Sequence, residues 1–166
     1  MWKPSNDLKN CVPDMKSTTS VQEEIIQEFE SLGEDREMML VYLMELGQKL
    51  PPLSEADRTE DNIVKGCQSK VWLTASLSDD SIIFNADSNT AITKGLVSLL
   101  VRIYSGQSPR AILDTEIFFP GRIGMERFIG TQRSNGFGSM IQQFRRYAIA
   151  FGTAISARQE NTVKEA

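Results

Sequence analysis

The sequence predicts an α+β domain, on three features of its patterning. Apolar residues recur at helical spacing near both ends, a middle stretch alternates with a period of two, and a nearly all-apolar segment follows that stretch directly. At 166 residues, with 40% apolar and 24% charged positions, the chain is long enough for one domain with a full core. Residues 1–19 are polar, carry Pro4 and Pro13 and keep no sustained period. They read as a mobile N-terminal tail ahead of a domain over 20–158, with a polar tail at 159–166 expected to fray.

Ser20 followed by Glu23 is a capping-box pattern, and Val21, Ile25, Ile26 and Phe29 recur behind it, so a first helix is expected up to Gly33. A second helix from about Glu34 carries Met38, Leu40, Val41, Leu43, Met44 and Leu46 and stops at Pro51-Pro52. Residues 53–65 are acidic and turn-like and deliver the chain to Gly66-Cys67. There the period changes. Val71, Leu73, Ala75 and Leu77 alternate with Trp72, Thr74 and Ser76, and Ile82, Phe84 and Ala86 repeat the pattern after Asp79-Asp80, which predicts a β-hairpin. Trp72 and Ile83 fall on the opposite face, which either another element covers or a partner uses. Asp87, Ser88 or Asn89 can cap the next helix, Thr90 to Tyr104, which is apolar nearly all round and therefore central; Gly95 inside it marks a close packing contact. Ser108-Pro109 opens a short helix, Glu116 to Gly121 is too brief to assign, and a last helix from Ser134 shows the stripe Phe137, Met140, Ile141, Phe144, Ala148, Phe151 and Ile155, with Gln142, Arg145 and Arg146 facing out.

Composition removes most chemistries. Eighteen basic against twenty-two acidic residues argue against a phosphate-backbone binder, so nucleic acid is not an expected partner. No apolar run, Leu96 to Val101 included, is long enough to span a bilayer, and with no apolar leader pattern the cytoplasm is the default expectation. There, Cys11 and Cys67 are expected to be free thiols. Two separated cysteines and no histidine offer too few ligands for zinc or an iron-sulfur cluster, so no metal is expected. Without imidazole the Ser-His-Asp and Cys-His arrangements are closed, and no GxxxxGK[ST] or GxGxxG supports a nucleotide, so no bound cofactor is expected. The Asp79-Asp80 pair reads as a solvated turn.

Cys67 is what remains. A free cysteine is more often a small buried hydrophobe than a reagent. Its neighbours shift that balance: Gly66 frees the backbone, and Lys65, Gln68, Ser69 and Lys70 suit a loop better than a core strand. A loop-tip thiol between two lysines is a candidate sulfur nucleophile.

Three blocks then carry a family resemblance, GCQSKVW at Gly66 to Trp72, DSNTAITKGL at Asp87 to Leu96 and RSNG at Arg133 to Gly136, and ELGQKLPPL at Glu45 to Leu53 followed by Asp57-Arg58 adds a likeness in the approach to the loop. In order and spacing, over about residues 22–155, they resemble the SufE family of sulfur acceptors. The chain departs from the family at Asn89, where Asp-Ser-Asp is common, and at Thr131-Gln132, where a Ser/Thr-Pro usually precedes the arginine. The resemblance implies a SufE/IscU-like α+β sandwich, a small antiparallel sheet packed against helices. It also implies a carrier, rather than a stand-alone enzyme, that takes persulfide sulfur from a SufS-type cysteine desulfurase, stimulates it, and passes sulfur to an iron-sulfur assembly scaffold. Pyridoxal phosphate would belong to the desulfurase. By motif position Cys67 is the acceptor and Arg133 the basic residue near it, with Gly66, Gln68 and Ser69 supporting the loop.

That role suits a chain without histidine. In sulfur exchange the attacking and leaving groups are both sulfur, so no water needs activating; a thiolate is required, which Arg133, Lys65 or the partner's site could favour. Two other classes stay open: a thiol redox sensor, in which peroxide alone gives a sulfenic acid or a Cys11-Cys67 bridge, and a plain interaction module indifferent to Cys67→Ser.

Overall fold

A computed structural model describes residues 16–165; Cys11 and most of the expected N-terminal tail lie outside them. The described elements are α1 (Thr18–Glu30), α2 (Arg36–Gln48), β1 (Val71–Ser78), β2 (Ser81–Ser88), α3 (Ala91–Tyr104), α4 (Pro109–Asp114), α5 (Phe119–Ile123), α6 (Met125–Ile129) and α7 (Thr131–Glu165). This is the expected α+β architecture, with a two-stranded antiparallel sheet.

Helix starts differ from the sequence reading where another residue takes the cap. Ser17, in extended conformation, accepts from the Ser20 N–H at 3.1 Å, so α1 begins at Thr18 and Ser20 lies inside its first turn. Asp35 does the same for α2, accepting from Glu37 and Met38 at 3.0 and 3.2 Å, which moves the start from Glu34 to Arg36. Met38 and Val41 of α2 point to solvent while Leu43 is fully buried. Helices α2 and α3 cross at Gly47 and Gly95: a Cβ on Gly95 would stand 2.2 Å from the Leu43 carbonyl oxygen, so the close contact read at Gly95 is present. Gln22, fully buried on α1, accepts from the Phe118 N–H at 2.8 Å and donates to the Glu116 carbonyl at 3.0 Å, which ties the 116–119 segment to the core.

The hairpin pairs Val71 with Ser88 through Ser78 with Ser81, and Asp79 takes the left-handed turn conformation at φ 55°. Its inner face, Val71, Leu73, Ile82, Phe84 and Ala86, packs on α3 and α7. Phe84 lies 4.7 Å from Phe144, whose ring lies 5.2 Å from Tyr104 (centroid distances). Both sheet edges are occupied along part of their length. The Ile82 N–H donates to Gln107 and the Phe84 N–H to the Ser105 hydroxyl on the β2 side, while the Tyr147 hydroxyl donates to the Leu73 carbonyl on the β1 side.

Helix α7 begins at Thr131 rather than Ser134, directly after Gly130 at φ 87°, and it runs to Glu165 through the segment expected to fray. The sequence after Gly152 holds no further glycine or proline and carries Ala154, Ala157, Arg158, Gln159, Glu160, Lys164 and Glu165, all good helix formers. Arg145, expected to face out, turns back to donate to the Leu113 carbonyl at 3.1 Å. Among the described residues, no helix is long and apolar enough to cross a membrane.

Candidate functional site

Residues 65–70 form a loop with a closed base. The Val64 N–H donates to the Val71 carbonyl at 2.8 Å, and Ile63 bridges to Trp72, so the loop leaves and re-enters the sheet edge at one point. Buried Val64 anchors the entry side. The exit side is clamped by the residues after β2. The Lys70 N–H donates to Asn89 Oδ1 at 3.0 Å, the Ser88 hydroxyl to the Lys70 carbonyl at 2.8 Å, the Asn89 N–H to the same carbonyl at 3.2 Å, and the Thr90 hydroxyl to Ser69 Oγ at 2.9 Å. Asn89 serves here as an acceptor, a part that an aspartate side chain could play equally.

Cys67 sits at the tip, half-buried, and its thiol donates to the Gly136 carbonyl on α7 at 3.3 Å. Burial pushes the Cys67 pKa up. The approach of loop to helix is tight at Gly66, where a Cβ would lie 2.5 Å from Ser139 Oγ, and close at Gly136, where one would lie in ordinary contact, 3.5 Å, with Cys67 Sγ. Gly66 has φ 96°, which a side-chain-bearing residue adopts only under strain. The thiol is thus docked on the first turns of α7 by small residues on both sides.

Arg133 lies three residues before Gly136 on α7, which puts it on the same side of the helix as the thiol's partner. Its exposed guanidinium donates to the Ile129 carbonyl at 3.2 Å, and among the described residues no hydrogen bond joins it to Cys67. Ser69 is held by Thr90; Gln68 and Lys65 are exposed on the loop. Gly136 and Ser139 are contact residues that the sequence reading does not single out. The available signal was a glycine inside a helical pattern, the same signal that marked Gly95.

Comparison with known proteins adds a family. Residues 23–148 match the SufE family, described as an Fe-S metabolism associated domain. The chain belongs to the SufE family. An uncharacterized SufE-like protein of Rhizobium etli is 41% identical over 133 residues, covering 76% of this chain and 88% of the relative. Another, from Rhizobium meliloti, is 36% identical over 132 residues, covering 76% and 93%. The solution structure of a hypothetical protein from Thermus thermophilus superposes with a TM-score of 0.67 over 80% of this chain and 96% of that one; at 21% identity it speaks to the fold alone. SufE membership associates the chain with iron-sulfur metabolism and sulfur transfer from a cysteine desulfurase.

In this SufE chain the approach to the loop is tied down by Asp87, one of three residues read as possible caps of α3, none of which stands at its N-cap. It is the penultimate residue of β2, almost fully buried, and Thr90 stands at the N-cap of α3 with no side-chain capping bond, its hydroxyl being given to Ser69. Asp87 pairs with Arg58 at 2.6 Å and Lys94 at 3.4 Å and accepts from the Leu53 N–H at 3.3 Å and the Ser88 N–H at 2.8 Å. Arg58 also lies 5.8 Å from the Trp72 ring centroid, so residues 53–63 cover the Trp72 end of the outer sheet face, while Ile83 at the other end stays exposed. Burial opposes ionisation of Asp87, but the Ser88, Arg58 and Leu53 bonds and the Lys94 charge outweigh it and hold its pKa below the ordinary value. A lowered pKa contributes stability that is present above the unfolded value, about 3.9, and is lost as pH falls through the folded value. Asp87→Ala is expected to cost about 3 kcal/mol at neutral pH, the low end for a broken buried pair because Arg58 can turn to water. Urea unfolding at pH 7 and at pH 3 checks this, and the two proteins should differ less at the lower pH.

Proposed function

We propose that this protein is a sulfur acceptor that takes the outer sulfur of a SufS-type desulfurase persulfide onto Cys67, speeds that enzyme's turnover, and hands the sulfur to an iron-sulfur assembly scaffold. The observation that carries this reading is the thiol itself, held at the tip of a closed-base loop and tucked against Gly136, in a chain whose family is tied to iron-sulfur metabolism. The Cys67 thiolate attacks the outer sulfur of the partner's persulfide. The new bond joins that sulfur to Cys67 Sγ, the old sulfur-sulfur bond breaks, and its electron pair stays on the partner's cysteine as a thiolate. The proton on the outer sulfur travels with it, so no oxidant and no histidine base are needed. Docking has to bring the loop out, because burial in the free protein favours the neutral thiol.

Arg133 is proposed to stand at the rim and favour the thiolate once the loop swings away from α7. Arg133→Ala should then slow sulfur transfer by about tenfold with little change in desulfurase affinity, because a charge effect on the reacting sulfur appears in rate before binding. Equal losses in rate and affinity would make it a docking residue only.

The test of the whole reading is intact-mass spectrometry of Cys11→Ser protein after incubation with a cysteine desulfurase and cysteine. One added sulfur atom on Cys67 is expected. A chain that stays unmodified there, yet gains oxygen at Cys67 with peroxide alone, would turn the reading to a redox sensor.

A further inference from the structure

We infer that Gly136 is the residue that lets the loaded sulfur stay tucked against α7, so that it discriminates between the empty and the sulfur-bearing forms of Cys67. The inference rests on the sulfur-acceptor reading and deepens it. Docked as a thiol, Cys67 sends its hydrogen to the Gly136 carbonyl at 3.3 Å. An outer sulfur is bonded about 2 Å from Sγ, so placed along the present S–H direction it would overlap that oxygen. Rotation about the Cβ–Sγ bond takes it off that line, and the flank of the helix is the side where the loop stays docked. On that flank an ordinary residue would place its Cβ 3.5 Å from Sγ, 3.7 Å from the Cys67 Cα and 3.8 Å from its Cβ. Those are ordinary contacts for a thiol, and an outer sulfur turned to this flank would compete with that Cβ for the same space. Position 136 is buried and inside a helix, where glycine is a poor helix former, and the missing side chain is the space the outer sulfur needs.

Position 138 supplies the control. Gly138 lies in the same turn of α7, is exposed, and a Cβ there would meet nothing within 4 Å. Gly136→Ala and Gly138→Ala therefore make the same change to helix propensity, and one of them fills the flank beside Cys67.

The experiment uses Cys11→Ser protein so that Cys67 is the one thiol. Inorganic polysulfide loads it: the thiolate takes one sulfur atom and leaves a polysulfide shorter by one. After desalting, cyanide removes the outer sulfur as thiocyanate and regenerates the thiolate, and the rate of thiocyanate release reports how well that sulfur is shielded. Gly136→Ala is expected to release it about tenfold faster than the parent, as overpacking drives the loaded loop off the helix. Iodoacetamide alkylation of its unloaded thiol should stay within about twofold of the parent. Gly138→Ala should match the parent in both. Equal thiocyanate release from Gly136→Ala and the parent overturns the inference, and so does alkylation of the empty variant that rises as much as cyanide release. Because polysulfide needs no desulfurase, failure of a desulfurase to load Cys67 would sink the acceptor reading and leave this comparison intact.

Discussion

Cys67→Ser is expected to bring sulfur uptake to background and to abolish any stimulation of a cysteine desulfurase, with stability within about 1 kcal/mol of the parent. The serine hydroxyl is close in size and can still donate to the Gly136 carbonyl, so the loop keeps its docked contact. What it loses is chemistry: a hydroxyl is not ionised in the range where a thiol is, and it cannot hold a sulfur-sulfur bond. Desulfurase turnover with and without the variant, together with its thermal melting curve, gives the answer. Full stimulation by a folded Cys67→Ser protein would show that the chain acts by binding alone, the interaction-module alternative.

The parts of the fold that were legible in the sequence are those whose pattern is local and repeated. Alternation over Val71 to Leu77 and Ile82 to Ala86 is a direct trace of a half-buried hairpin, and the stripe from Phe137 to Ala148 is the buried side of α7. Caps were less legible, because Ser17, Ser20 and Asp35 are equally good candidates in isolation and the choice depends on where the chain leaves its extended conformation. Asp87 was misread for a deeper reason. Its helix-capping chemistry is visible in sequence, but Arg58 and Lys94, which draw it into the sheet as a buried anion, reach it only through tertiary structure. The site follows the same rule. GCQS shows a thiol on a flexible loop, whereas the landing place of that loop on Gly136 and Ser139 joins segments about seventy residues apart. The family resemblance implied a place for Arg133 near Cys67; in the structure its guanidinium donates to the Ile129 carbonyl.

Gly66→Ala is expected to open the loop for good and raise Cys67 alkylation by about thirtyfold at neutral pH. Two costs fall on the closed state alone. At φ 96° an alanine is strained, and its Cβ would sit 2.5 Å from Ser139 Oγ and 3.0 Å from Ser139 Cβ. Together about 2 kcal/mol moves from closed to open, which is about thirtyfold in the opening equilibrium. Ser139→Gly added to Gly66→Ala removes the collision and keeps the strain, so the double variant should fall between the parent and the single one. The pH dependence gives an independent check on the same equilibrium. Burial raises the thiol pKa in the closed loop, so the closed state is fully favoured below the ordinary thiol value, about 8.5, and loses that advantage as pH rises through the raised one. Parent alkylation should therefore climb with pH on two counts, opening and ionisation, while Gly66→Ala, already open, should follow ionisation of an ordinary thiol. Stopped-flow alkylation of both proteins in a Cys11→Ser background from pH 6 to about 10 compares the two profiles through the ordinary thiol value. If Gly66→Ala matched the parent at every pH, access to Cys67 would be controlled somewhere other than the contact between this loop and α7.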